Sequence, residues 1–155
     1  MIYIGIDLGR PGALAVLEGE RFEKAQVLSA QGWTKKATSG QLQGLFEFAL
    51  QKYRPTAVAV EQTKAWGFRS VILSQGGQYA ILEALCQSYG VPILSLLPSD
   101  TKRLICGTIQ AGDAAVIRAV NDLLKKSAAH YQPVHDIHLA DACAMALLAM
   151  NRGGK

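Results

Sequence analysis

MIYIGIDLGRPG, residues Met1–Gly12, is the stretch whose reading decides the fold. Ile2, Ile4 and Ile6 alternate with Tyr3, Gly5 and Asp7, the two-residue period of a β-strand. The run ends on a lone carboxylate, Asp7, and then Leu8-Gly9-Arg10-Pro11-Gly12 forms a turn-making cluster. An acid in that place is costly to desolvate unless a metal ion or a hydrogen-bond network compensates it. A turn or cap residue is the ordinary alternative. The rest of the chain favours reading Asp7 as the first ligand of an active site.

Outward from that turn, Ala13–Leu17 is apolar and strand-like, and Glu18-Gly19-Glu20-Arg21 is a tight polar turn. Phe22–Leu28 supplies a third strand, so the chain opens as an antiparallel meander. Ala30–Gly40 is polar and reads as a mobile loop carrying Trp33, Lys35 and Lys36. Ser39 is placed to cap a helix whose Leu42, Leu45, Phe46, Ala49 and Leu50 share one face, and Pro55 stops it. Thr56–Val60 is then a short buried strand ending in Glu61. Strand, helix, strand implies a parallel crossover, which sets Glu61 beside Asp7. Gly5 on the first strand, and Ala57 and Ala59 on this one, leave room beneath the two acids for a closely packed element.

Lys64-Ala-Trp-Gly-Phe-Arg69 reads as a loop with two aromatics and two cations. Ser70–Tyr89 is a long helix stopped by Gly90, and its internal Gly76-Gly77 suggests close approach of another backbone. Val91–Leu97 is the fifth strand, Pro98-Ser99-Asp100 opens a short helix holding Lys102 and Arg103, and Asp113–Lys126 is a further helix after a loop. The last helix runs roughly from Asp136 to Met150. The sum is an α/β fold, a five-stranded mixed sheet of antiparallel meander then parallel strands, flanked by helices. Residues 1–150 are expected to form one domain and 151–155 a flexible tail.

Half of the 155 residues are hydrophobic and 18% are charged, enough for a substantial core. The net charge of +4 and pI near 9.1 suit an anionic partner such as nucleic acid without demanding one. Cys86, Cys106 and Cys143 are widely spaced with no CxxC, which argues for a reducing compartment, the cytoplasm or its equivalent, and against a disulfide frame. No secretory signal is read in the first apolar run, which Asp7 interrupts, and no stretch is long enough to span a bilayer.

His138 and Asp141 lie three apart on the last helix and so share a face. Ala140, Ala142, Ala144 and Ala146 make that helix slim, able to lie on the Gly5/Ala57/Ala59 face and bring Asp141 to Asp7 and Glu61. Converging carboxylates repel and shift one another's pKa. A divalent cation relieves this, and hard oxygen ligands favour Mg²⁺ or Mn²⁺. His138 adds an imidazole ligand or a group to activate water. Singly, a strand-end glutamate is more often a surface residue and a helix histidine more often structural; jointly the pattern is far more specific.

IGIDLGRPG with Asp7, AVAVEQ with Glu61 and HLADACAMAL with His138 and Asp141 resemble the RuvC family of Holliday-junction resolvases, of ribonuclease H-like fold. The likeness runs over nearly the whole chain, and Gln62, Gly77-Gln78 and Lys102 agree with it. It implies a homodimer, two Mg²⁺ ions per site with Mn²⁺ as substitute, and paired nicks in four-way DNA junctions. Asp7 would then bridge the ions, with Glu61, His138 and Asp141 completing their shells. His138 stands where many members have aspartate, and Ala111-Gly112-Asp113 lacks a lysine that many members carry. From their positions, Lys64, Trp66, Phe68, Arg69, Lys102 and Arg103 are the expected DNA contacts, and a branch-migration helicase is a possible partner. The rival readings are a less selective nuclease for flaps and forks, a junction-binding protein that does not cut, and an actin-like ATPase lobe. The full set of acids disfavours the second, and the lack of a second Asp-x-Gly disfavours the third.

Overall fold

The computed structural model describes residues 1–61, 69–125 and 133–153, with the side chains of Phe22 and residues 69–74 outside the description. The isoleucine alternation forms β1 (Ile2–Asp7), which pairs antiparallel with β2 (Gly12–Glu18). β2 pairs antiparallel in turn with β3 (Gln26–Trp33). α1 (Ser39–Tyr53) then crosses to β4 (Ala57–Glu61), parallel to β1 with Ile6 opposite Val60. α2 (Arg69–Tyr89) leads to β5 (Ile93–Leu96), parallel to β4, and the sheet order is β3-β2-β1-β4-β5. α3 (Pro98–Cys106), α4 (Asp113–Lys125) and α5 (Ile137–Gly153) complete the chain.

The pleat sorts the core into two. Ile4, Ile6, Leu14, Val16, Val58 and Val60 face α1 and α2, burying Leu42, Phe46, Leu50, Leu82 and Cys86. The other face is built of small residues, Ala13, Ala15, Ala57 and Ala59, against Ala140, Ala142, Ala144 and Ala146 of α5. At Gly5 the two backbones meet: a Cβ there would overlap the carbonyl oxygen of Ala142 and lie 2.7 Å from the amide nitrogen of Ala146. The expected close packing of the last helix on this face is thus observed.

Several boundaries differ from the sequence reading. β3 runs on to Trp33, through what was read as a loop; it is an edge strand with polar residues on its open side, so its period is blurred. Thr38, not Ser39, caps α1, because its side chain and that of Gln41 form a reciprocal capping box. Among the described residues nothing lies within 4 Å of a Cβ built at Gly76 or Gly77, so none of them makes the close backbone approach expected there. α5 continues through Asn151 to Gly153, held by an Arg152–Asp100 ion pair at 2.7 Å, where a loose tail was expected. The N-terminus of α5 is capped by Asp136, whose carboxylate accepts from the amides of His138 and Leu139. Just before it, the Asn121 side chain of α4 pairs with the Val134 peptide, donating to its carbonyl at 2.7 Å and accepting from its amide at 2.8 Å.

Candidate active site

Asp7 and Glu61 close two adjacent parallel strands, one residue beyond the paired Ile6 and Val60. α5 crosses beneath them, and its first turns carry His138 and Asp141. His138 Nδ1 lies 2.6 Å from Asp7 Oδ2. Burial pushes the Asp7 carboxyl above its ordinary value, the His138 hydrogen bond and charge oppose this, and Asp136 adds to it.

Asp141 is pushed up to about 7, first by burial and then by the charges of Asp7, Glu61 and Asp113, with Lys102 opposing. Glu61 and Asp141 line a cleft of about 190 Å³ together with Thr101 and Lys102 of α3 and Asp113 of α4. Both other acids foreseen in the sequence, Asp7 and Glu61, therefore act on Asp141, and the structure adds a further one, Asp113.

Among the described residues, no three His, Cys, Asp or Glu side chains gather closely enough to hold a metal ion in this arrangement. The sequence reading had all four ligands closing on one centre. Here one oxygen of Asp7 is engaged by His138, and carboxylates that repel one another have no reason to close further. The donor chemistry still fits a hard divalent cation: Asp141 under the charges of Asp7 and Glu61, with the His138 imidazole on Asp7.

Of the expected DNA contacts, Lys64, Trp66 and Phe68 lie outside the described residues, as does the side chain of Arg69. Lys102 faces the cleft, whereas its neighbour Arg103 pairs with Asp100 at 3.6 Å and is largely exposed. His135 is exposed ahead of α5. Sequence reasoning missed Asp113, for which the available signal was an acid opening a helix downstream of Lys102. It also missed Trp33, Gln75 and Gln78, which hold the turn after Asp7. Gln78 falls on the same stripe as Leu82 and Cys86, four and eight residues on, and a polar residue on a buried stripe is the signal that went unused.

A mixed sheet in the order 3-2-1-4-5, with acids at the ends of its two central parallel strands and a helix-borne acid crossing beneath, is the ribonuclease H-like architecture. No family model matches the chain. The crossover junction endodeoxyribonuclease RuvC of Cutibacterium acnes is 32% identical over 101 residues, 65% of this chain and 50% of that one. The protein of the same name from Myxococcus xanthus is 32% identical over 113 residues, 72% and 57% of the respective chains. The chain thus spans about half the length of these curated relatives. T. thermophilus RuvC in complex with a Holliday junction substrate superposes with a TM-score of 0.85 at 24% identity, covering 99% of this chain and 97% of that one. A further Thermus thermophilus RuvC structure gives 0.82 at 25% identity, covering 99% and 96%. The chain belongs to the RuvC family.

Proposed function

We propose that this protein is a divalent-metal-dependent endonuclease that resolves four-way DNA junctions by paired symmetric nicks. The carrying observation is the gathering of Asp7, Glu61, His138 and Asp141 at one end of a RuvC-type sheet, beside a cleft that Lys102 also lines. Support for the substrate comes from relatives named as crossover junction endodeoxyribonucleases and from a structural neighbour in complex with a Holliday junction.

Asp7, Glu61 and Asp141, with His138, would hold Mg²⁺ or Mn²⁺. When bound, such ions activate water and stabilise the leaving oxygen of a phosphodiester. The chain's own groups do the rest. An ionised carboxylate only accepts hydrogen bonds, so an ionised Asp7 beside a neutral imidazole takes its hydrogen bond from Nδ1–H and leaves the Nε2 lone pair free. That nitrogen can ligate or take a proton, and Asp7 fixes the ring that presents it. Lys102 supplies a positive charge for a phosphate entering the cleft. Lys64, Trp66, Phe68 and Arg69 are assigned to the junction arms and centre. The active form is a homodimer, whose two sites match the near two-fold symmetry of a junction; a branch-migration helicase is its candidate partner.

The test is cleavage of a synthetic four-way junction beside Y-forks, flaps and linear duplex, in Mg²⁺ and in EDTA. Cleavage confined to the junction, abolished by EDTA and by Asp7→Asn while junction binding persists, is expected. Full cleavage by Asp7→Asn in Mg²⁺ would end the metal-site reading, and equal cutting of forks and flaps would favour a less selective branched-DNA nuclease.

A further inference from the structure

Gln78 is a buried polar side chain, 1% exposed, among the apolar residues by which α2 packs on the sheet. Its amide pairs with the backbone of Gly9 on both sides: the Gly9 N–H donates to Oε1 at 3.1 Å, and Nε2 donates to the Gly9 carbonyl at 3.3 Å. One turn earlier, Gln75 Nε2 donates to the Leu8 carbonyl at 3.0 Å. The Leu8–Gly9 peptide is therefore gripped at both its oxygen and its N–H by two side chains of one helix. From the other side, the Trp33 indole N–H donates to the Gly9 carbonyl at 2.7 Å. This is the peptide that follows Asp7 by one residue, and no strand pairing holds it.

We infer that Gln78, assisted by Gln75 and Trp33, is a positioning residue for Asp7, and that α2 thereby sets the direction in which that carboxylate leaves the sheet. Satisfying buried polar groups explains why the turn is hydrogen-bonded. It does not explain why three side chains from two elements converge on one turn, when apolar residues there would pack without exact registration. A carboxylate that must meet a cation gains from having its backbone fixed in advance. The inference rests on the metal-site reading of Asp7, and α2 follows directly in sequence on the segment assigned to DNA.

The test compares Gln78→Leu, Trp33→Phe and Val120→Ala, the last a buried change on the opposite face of the sheet. Mn²⁺ affinity is measured by electron paramagnetic resonance titration, alongside melting temperature, junction affinity in EDTA, and the separate kcat and KM of cleavage. Gln78→Leu is expected to weaken Mn²⁺ binding roughly 10-fold and to lower kcat in step, with KM and junction affinity within about twofold of wild type. Trp33→Phe should move the same way by less, covering the case in which Gln78→Leu does not fold. Val120→Ala should lower the melting temperature without touching Mn²⁺ affinity. Wild-type Mn²⁺ affinity in folded Gln78→Leu, or an equal loss in Val120→Ala, overturns the inference. A wild type that binds Mn²⁺ but leaves junctions uncut refutes the junction-resolving reading alone, since the Mn²⁺ comparison still decides this one. A wild type without Mn²⁺ affinity overturns both.

Discussion

His138 and Asp7, 131 residues apart in the chain, stand 2.6 Å apart between Nδ1 and Oδ2, joining the first turn of α5 to the end of β1. This contact fixes the orientation of the imidazole against the carboxylate and opposes the effect of burial on Asp7. His138→Ala is therefore expected to cut cleavage by roughly 10²-fold, the usual size of a lost general base or ligand. It also removes what holds the Asp7 pKa down, so the Mg²⁺ requirement should climb more steeply with acidification than in wild type. His135→Ala, at an exposed position ahead of the helix, should be near neutral, and His138→Asp should retain part of the activity. Junction cleavage rates against Mg²⁺ concentration at several pH values check all three. Damage from His135→Ala alone would displace the site.

In the metal-free protein, Asp141 rises from 3.8 to about 7, chiefly through burial and then through Asp7 and Glu61. Between those values the folded state holds a proton that the unfolded chain has released, so stability falls as pH rises through that window. Above it the full deficit is present; below it the deficit is gone. Asp141→Asn should thus melt higher than wild type in EDTA at pH 8, by about 1–2 kcal/mol after allowing for solvent screening. At a pH near 4 the two should melt together, and Mg²⁺ should narrow the gap at pH 8. Calorimetry with and without EDTA reads this directly; equal melting at pH 8 would show that the acids do not burden the fold.

At Gly5 a methyl group would strike the Ala142 carbonyl, which is backbone and cannot swing away. Gly5→Ala is expected to cost about 1–3 kcal/mol and to lift α5 from the sheet. Because α5 carries His138 and Asp141, the rate should fall further than the loss of folded protein explains. Denaturant titration and cleavage on the same preparation separate the two effects.

Strand and helix periods made most of this arrangement legible. The isoleucine alternation, the crossover to Ala57–Glu61 and the slim alanine helix required the meeting of Asp7, Glu61 and Asp141 before any coordinates. What escaped was of three kinds. β3 is an edge strand whose Gln26, Leu28, Ala30, Gln31 and Gly32 are open to solvent, so no period marked it. Gln75, Gln78 and Trp33 act through hydrogen bonds to residues 24 or more positions away, and hydrogen-bond geometry leaves no periodic trace. Asp113 escaped because α3 and α4 pack against α5, a tertiary fact that local pattern does not carry.

A two-fold dimer should cut a cruciform plasmid on both strands in one binding event. Mixed dimers of wild-type and Asp7→Asn chains are expected to give nicked circles, and wild type linear product. Sedimentation sets the species present. A chain that remains monomeric on DNA yet gives linear product in a single event would rule the dimer out.

The pairing of the Asn121 amide with the Val134 peptide bears on how the molecule can be altered. It ties α4 to the lead-in of α5, so a disturbance anywhere along α4 is delivered to the helix that carries His138 and Asp141. Asn121 is thus a remote handle on the site: Asn121→Leu would slacken it from a residue that touches neither acid.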